Sequence, residues 1–229
     1  MGLILFDIDL TLILTSGVGR KALDGAMREM HGVEGAFEAV HFAGRTDRSI
    51  SSEGLARSGL DDSEASILAL RAAYIENLAR DLATPGCPIA RLPGALELLE
   101  RLRGDGRAMA LVTGNWREGA WLKLARCGLD RFFRAGAFAE DGASRNELPP
   151  VAVERAARAF GRGFRHEDCW MVGDTPDDIE CGRTWGMATL GVATGPFGAE
   201  ALLAAGADEI LGGLSDTEEA LLILGGDPR

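Results

Sequence analysis

Apolar residues fall along this chain in two rhythms. Unbroken runs at Leu3-Ile4-Leu5-Phe6, Ala108-Met109-Ala110-Leu111-Val112, Cys169-Trp170-Met171-Val172 and Ala188-Thr189-Leu190-Gly191-Val192, with a shorter one at Glu209-Ile210-Leu211, have the length of strands buried on both faces of a parallel sheet. Between them, residues 94–103, 117–127, 149–160, 176–185 and 198–205 set alanine and leucine at helical spacing, with glycine near several ends. This alternation predicts an α/β fold, a parallel sheet covered by helices on both faces. The interval from about residue 15 to residue 90 breaks the rhythm. It carries helical patterns at 20–30, 48–58 and 62–82 and no convincing strand, so it reads as a helical insertion after the first strand. Thr84-Pro85-Gly86-Cys87-Pro88, followed by Leu92-Pro93-Gly94, marks the return to the sheet.

Composition narrows the class of function. The 229 residues are 46% hydrophobic with a formal net charge of -11, which fits a globular protein and excludes a general attraction to nucleic acid or anionic membranes. An anionic substrate must therefore be captured by local groups. Cys87, Cys127, Cys169 and Cys181 lack metal-type spacing and read as small apolar fillers in a reducing compartment. His31, His41 and His166 show no ligand spacing either. The first apolar run meets Asp7 too early for a signal peptide or a membrane span, so a cytoplasmic location is expected. Trp116, Trp121, Trp170 and Trp185 are expected to pack helices on the sheet.

The chemistry gathers where strands end. The first run stops at Asp7-Ile8-Asp9, two carboxylates that share one face while the chain stays extended. Anions held that close call for a shared proton or a divalent cation. The second run ends in Thr113-Gly114-Asn115, neutral donors suited to anionic oxygens, although Asn115 taken alone reads as the cap of a helix beginning near Trp116. The third ends in Gly173-Asp174-Thr175-Pro176-Asp177-Asp178. Thr175, Pro176 and Asp178 fit a capping box, but capping leaves Asp174 unexplained. Carboxylates converging from two strand tips favour a cation bound there, and Mg2+ needs only one or two of them with waters and a substrate phosphate. Arg145, just before a helix, is the candidate positive group.

Asp7-Ile8-Asp9-Leu10-Thr11, Thr113-Gly114-Asn115, a basic residue before a helix, and Gly173-Asp174 with Asp178 together resemble the four ordered motifs of the haloacid dehalogenase-like superfamily, in particular its phosphoglycolate phosphatase-like branch. The resemblance covers about residues 1–15 and 90–210. It implies a Rossmann-like core of residues 1–15 and 90–229 and an inserted helical cap domain of residues 16–89. It also implies that Asp7 is the nucleophile forming an aspartyl-phosphate and that Asp9 is the general acid and base. Thr113, Gly114, Asn115 and Arg145 would bind the phosphoryl oxygens. Mg2+ would be held by Asp7, the backbone carbonyl of Asp9, and Asp174, with Asp178 orienting that shell.

Two departures stand out. Leu10 occupies a position where members carry glycine, and Arg145 stands where they carry lysine, a fork in place of a point charge. In the insertion, Phe42-Ala43-Gly44-Arg45-Thr46-Asp47-Arg48 offers either a substrate contact through Arg45 or a solvated turn, and Thr46 or Asp47 is set to cap a helix. Ser16-Gly17-Val18-Gly19-Arg20 reads as a hinge. The implied activity is Mg2+-dependent hydrolysis of a small phosphorylated metabolite. The alternatives are a sugar-phosphate mutase of the same superfamily and a non-catalytic phosphate- or partner-binding protein. Dehalogenation would leave Asp9, Asp174 and the metal without a task, and a phosphonate hydrolase would want a cap lysine where the insertion offers only Lys21.

Overall fold

A computed structural model of the protein describes residues 2–226. The chain opens with β1 (Leu3–Phe6), β2 (Ile13–Leu14), then three helices, α1 (Val18–His31), α2 (Asp47–Arg57) and α3 (Glu64–Ala83). It continues through β3 (Ala90–Arg91), α4 (Ala95–Gly104), β4 (Ala108–Val112), α5 (Arg117–Arg126), β5 (Gly136–Ala137) and α6 (Leu148–Phe160). β6 (Cys169–Gly173), α7 (Pro176–Thr184), β7 (Ala188–Val192), α8 (Ala199–Ala204), β8 (Glu209–Leu211) and α9 (Thr217–Gly225) follow.

Six strands form one parallel sheet in the order β5-β4-β1-β6-β7-β8. Every residue of β1, β4 and β6 is buried, as unbroken apolar runs require when helices cover both faces. One apolar cluster on each face joins alternate strand residues to the helices. Ile4, Phe6, Met109 and Leu111 meet α4, α5 and α9 on one side, and Leu3, Leu5, Ala110 and Met171 meet α6 on the other. No helix among the described residues is long and apolar enough to cross a membrane.

Helices α1, α2 and α3 close around their own apolar cluster, including Leu23, Met27, Phe37, Leu70, Tyr74 and Leu78. Trp116 belongs to that cluster, not to the sheet, and Trp185 is 37% exposed with its indole N–H on the Asn146 carbonyl. The expectation that all four tryptophans pack on the sheet is thus corrected for these two. β2 and β3 pair antiparallel where the chain leaves and rejoins the sheet. These two-residue strands, like β5, are too short to leave a periodic signal.

Parallel alignment is what assembles the site. Phe6 is in register with Leu111 on one side and Val172 on the other, so the residues just beyond these three strand ends lie side by side at one edge. The Asp7 amide donates to the Val172 carbonyl at 2.9 Å and the Thr113 amide to the Ala137 carbonyl at 3.1 Å, which carries the sheet geometry into the first site residues.

Candidate active site

Asp7, Asp174 and Asp178 are buried, and one carboxylate oxygen from each lies within 4.8 Å of the others. Asp178 is held by the capping box at the start of α7, where the Thr175 amide and hydroxyl donate to its Oδ2 at 3.0 and 2.8 Å. Gly173 has to be glycine, since a Cβ there would lie 2.2 Å from the Asp178 carboxyl carbon. Burial, the charges of Asp178 and Asp7, and the weaker opposing charge of Arg145 leave Asp174 pushed up to about 9. Asp7 is raised to about 7 by burial, with Arg145 opposing and Asp178 and Asp9 adding.

Arg145 answers this crowding. Its Nη2 donates to Asp7 Oδ1 at 2.6 Å and to Asp178 Oδ1 at 2.5 Å. Burial weakens the cation, but the two carboxylates more than offset that and hold it charged. One buried arginine among three buried carboxylates still leaves an excess of negative charge. The set is all oxygen and converges from two strand tips and a helix start, which suits a hard divalent cation.

A second polar group lies beside the first. Lys123 Nζ sits 2.9 and 3.1 Å from the two carboxylate oxygens of Asp9 and 2.5 Å from Asn115 Oδ1. Asn115 Nδ2 donates to Asp9 Oδ2 at 2.5 Å and to Thr113 Oγ1 at 2.7 Å. Burial would raise Asp9, but the Lys123 charge and the hydrogen bonds from Asn115 and Lys123 outweigh it and hold the carboxyl below its ordinary range. Its side chain is therefore turned to Asn115 and Lys123, not to the acidic trio. Lys123 was not singled out in the sequence, although it shares the buried face of α5 with Ala120 and Leu124, an unusual place for a lysine. Asn115 does not cap α5. Trp116 holds that position without a side-chain cap of its own, and its amide donates to Asp47 Oδ2 at 2.8 Å.

Leu10 adopts φ +60°, the left-handed conformation that its glycine counterpart takes without cost. Its amide donates to the Ile13 carbonyl at 2.8 Å and its carbonyl accepts from the Thr194 hydroxyl, so both backbone groups are held in the turn.

The loop before α2 covers these groups. A Cβ on Gly114 would lie 2.1 Å from the Arg45 carbonyl oxygen, and one on Gly44 would lie 1.9 Å from Asp177 Oδ2, so both glycines permit a close approach. The Asp47 amide donates to the Gly114 carbonyl at 2.6 Å. Burial raises Asp47 to about 6 against the opposing Lys123 charge. Thr46 caps α2, accepting from the Ser49 amide at 3.2 Å. The Arg45 guanidinium pairs with Glu53 and donates to the His41 and Ser49 carbonyls at 3.3 and 3.2 Å, so it braces its own loop. Between loop and strand ends lies a cavity of about 390 Å³ lined by Asp7, Asp9, Asn115, Lys123 and Arg145 below and by Gly19, Phe42, Asp47 and Tyr74 above.

Residues 4–183 match the model of the haloacid dehalogenase-like hydrolase family. The chain belongs to that family. This haloacid dehalogenase-like hydrolase is 34% identical over 96 residues to pyrophosphatase PpaX of Halalkalibacterium halodurans, a match that spans 42% of this chain and 43% of that protein. A hydrolase from Pseudomonas syringae shares the fold with a TM-score of 0.73 at 21% identity, over 97% of this chain and 98% of the other. CbbY from Rhodobacter sphaeroides in complex with phosphate superposes with a TM-score of 0.74 at 19% identity, over 94% and 96% of the two chains. A predicted phosphoglycolate phosphatase from Haemophilus somnus gives 0.71 at 18% identity, over 96% and 97%.

Proposed function

We propose that the protein is a Mg2+-dependent phosphatase that hydrolyses a small phosphorylated metabolite through an aspartyl-phosphate on Asp7. The observation that carries this reading is Arg145 bridging Asp7 and Asp178 beside Asp174, an assembly of buried nucleophile, cation and oxygen ligands at adjoining strand tips. Family membership and the pyrophosphatase-named relative support phosphoryl chemistry. In this reading residues 1–15 and 90–229 form the catalytic core and residues 16–89 the cap.

The Asp7 carboxylate attacks phosphorus as the bond to the leaving oxygen breaks. Lys123 and Asn115 hold Asp9 ionised, so the proton for the leaving oxygen arrives on the substrate as its monoanion and passes through Asp9. Asp9, again a carboxylate, then takes a proton from the water that attacks the aspartyl-phosphate, and phosphate leaves with Asp7 regenerated. Thr113, Asn115, the Gly114 backbone and Arg145 hold the phosphoryl oxygens. Mg2+ would be held by Asp7, the Asp9 carbonyl and Asp174, with Asp178 orienting the set, and when bound it neutralises charge on the transferred group. Arg45 acts on the substrate through the loop it braces.

The experiment is phosphate release from a panel of small phosphomonoesters with Mg2+ and with chelator. Release that requires Mg2+ supports the reading. Isomerised in place of hydrolysed phosphate would make the protein a mutase, and silence across the panel would sink turnover altogether.

A further inference from the structure

The upper part of the cavity contains polar groups for which the phosphoryl chemistry has no use. Tyr74, the chain's single tyrosine, reaches it from α3. The residue is 1% exposed, and its hydroxyl has no hydrogen-bond partner among the described residues. Two glycines frame that hydroxyl. A Cβ on Gly19, in the first turn of α1, would lie 3.8 Å from both Tyr74 Oη and Lys123 Nζ, and one on Gly119 of α5 would lie 3.4 Å from Tyr74 Oη. Asp47 lines the same space. Its Oδ2 accepts from the Trp116 amide, while no donor among the described residues reaches its Oδ1.

The hydroxyl of a buried tyrosine and an oxygen of a half-buried carboxylate that face the cavity without a protein partner are placed to be satisfied by a ligand. Burial and the carboxylates of Asp47 and Asp9 push the Tyr74 phenol well above its ordinary range, so it stays a neutral donor. The cations nearby are already engaged. Lys123 is already paired with Asp9, and Arg45 with Glu53. Arg20 lies over the Phe42 ring at 4.3 Å and donates to the Phe37, Glu38 and Val40 carbonyls. Among the buried and half-buried groups at its upper end, the Tyr74 hydroxyl and Asp47 Oδ1 are left without a partner, a neutral donor and a carboxylate acceptor that are the complement of an alcohol.

We infer that this upper subsite binds an uncharged hydroxyl of the leaving group, Tyr74 donating to it and Asp47 accepting from it, so that the substrate is a phosphorylated polyol or sugar and not a phosphorylated carboxylic acid. Gly19 keeps the subsite wide enough for a carbon bearing that hydroxyl. The inference rests on the phosphatase reading and adds the substrate class.

The test compares kcat/KM for glycerol 3-phosphate, 2-phosphoglycolate and ethyl phosphate, whose leaving groups bear hydroxyls, a carboxylate and no polar group. Wild-type protein is expected to prefer glycerol 3-phosphate to each of the others by about tenfold or more. Tyr74→Phe removes a hydroxyl with no protein partner and should leave the fold intact. It should cut the ratio of glycerol 3-phosphate to ethyl phosphate about tenfold, mainly through KM. Gly19→Ala, whose Cβ would make only ordinary contacts, should lower the same ratio by narrowing the subsite. A preference for 2-phosphoglycolate, or a ratio that both variants keep, overturns the inference. Equilibrium binding of the three esters to Asp7→Asn with Mg2+ separates the two levels. Binding of none defeats the phosphatase reading and this inference with it, equal binding of all three defeats this inference alone, and selective binding of glycerol 3-phosphate supports both.

Discussion

Arg145 makes both of its carboxylate contacts through one nitrogen, Nη2. A lysine ammonium reaching the same point could therefore serve both, whereas an apolar side chain would leave three buried carboxylates uncompensated. Arg145→Lys is expected to keep phosphate release within about tenfold of wild type. Arg145→Met should abolish release and cost about 3 kcal/mol or more of stability at neutral pH in urea unfolding. Equal damage from both would mean that the fork itself matters. Leu10 offers a second test of a single residue. At φ +60° a non-glycine residue is strained by about 1–2 kcal/mol, so Leu10→Gly should be more stable than Leu10→Ala by about 1 kcal/mol. An ordinary helical site would give the reverse order. Asp7, Asp9, Asp174 and Asp178 could be read from the chain because each sits at or just beyond the end of an apolar run. Asp47 and Tyr74 could not be read as site residues, because each reaches the site from an element whose local pattern says only loop or helix.

Elements long enough to repeat their pattern were legible. The runs at β1, β4, β6 and β7 and the spacing in α4 to α8 place those elements within a residue or two. β2, β3 and β5, two residues each, have no period to detect, and the α9 stretch went unassigned. The N-terminus of α5 shows a further limit. Its Trp116 amide is satisfied by Asp47, 69 positions earlier, and its Arg117 amide by Glu140, because Asn115 is engaged with Asp9, Thr113 and Lys123. No local rule finds a cap supplied across the fold. The Asp47 bond ties the loop before α2 to the helix that carries Lys123. Asp47→Ala should cost about 1 kcal/mol by chemical denaturation, the worth of an N-cap, and raise KM by loosening the loop. Asp47→Asn retains an acceptor oxygen and should lose less stability than alanine does. An alanine variant as stable as wild type would show that the contact does not hold the loop.

Across the whole molecule 35 acidic residues outnumber 24 basic ones, and at the site that imbalance is buried. Asp7 at about 7 and Asp174 at about 9 stand well above the ordinary carboxylate value of 3.8, both raised first by burial. The sign of the consequence follows from linkage. Where a carboxyl is harder to ionise in the folded state, the folded protein retains protons that the unfolded chain has released, so stability present at acid pH is lost as pH rises from about 4 through the raised values. A divalent cation on the trio competes with those protons and stabilises only the folded state, by mass action. In chelator, the melting temperature contributed by this site should therefore fall from about pH 5.5 to about pH 8.5, and Mg2+ should raise it more at the higher pH. Asp174→Asn removes the most strongly raised group, so it should flatten the pH slope and shrink the Mg2+ shift together. If the wild-type Mg2+ shift were equal at both pH values, or if Asp174→Asn kept it, the trio would not be where the ion binds, and its crowding would need another explanation.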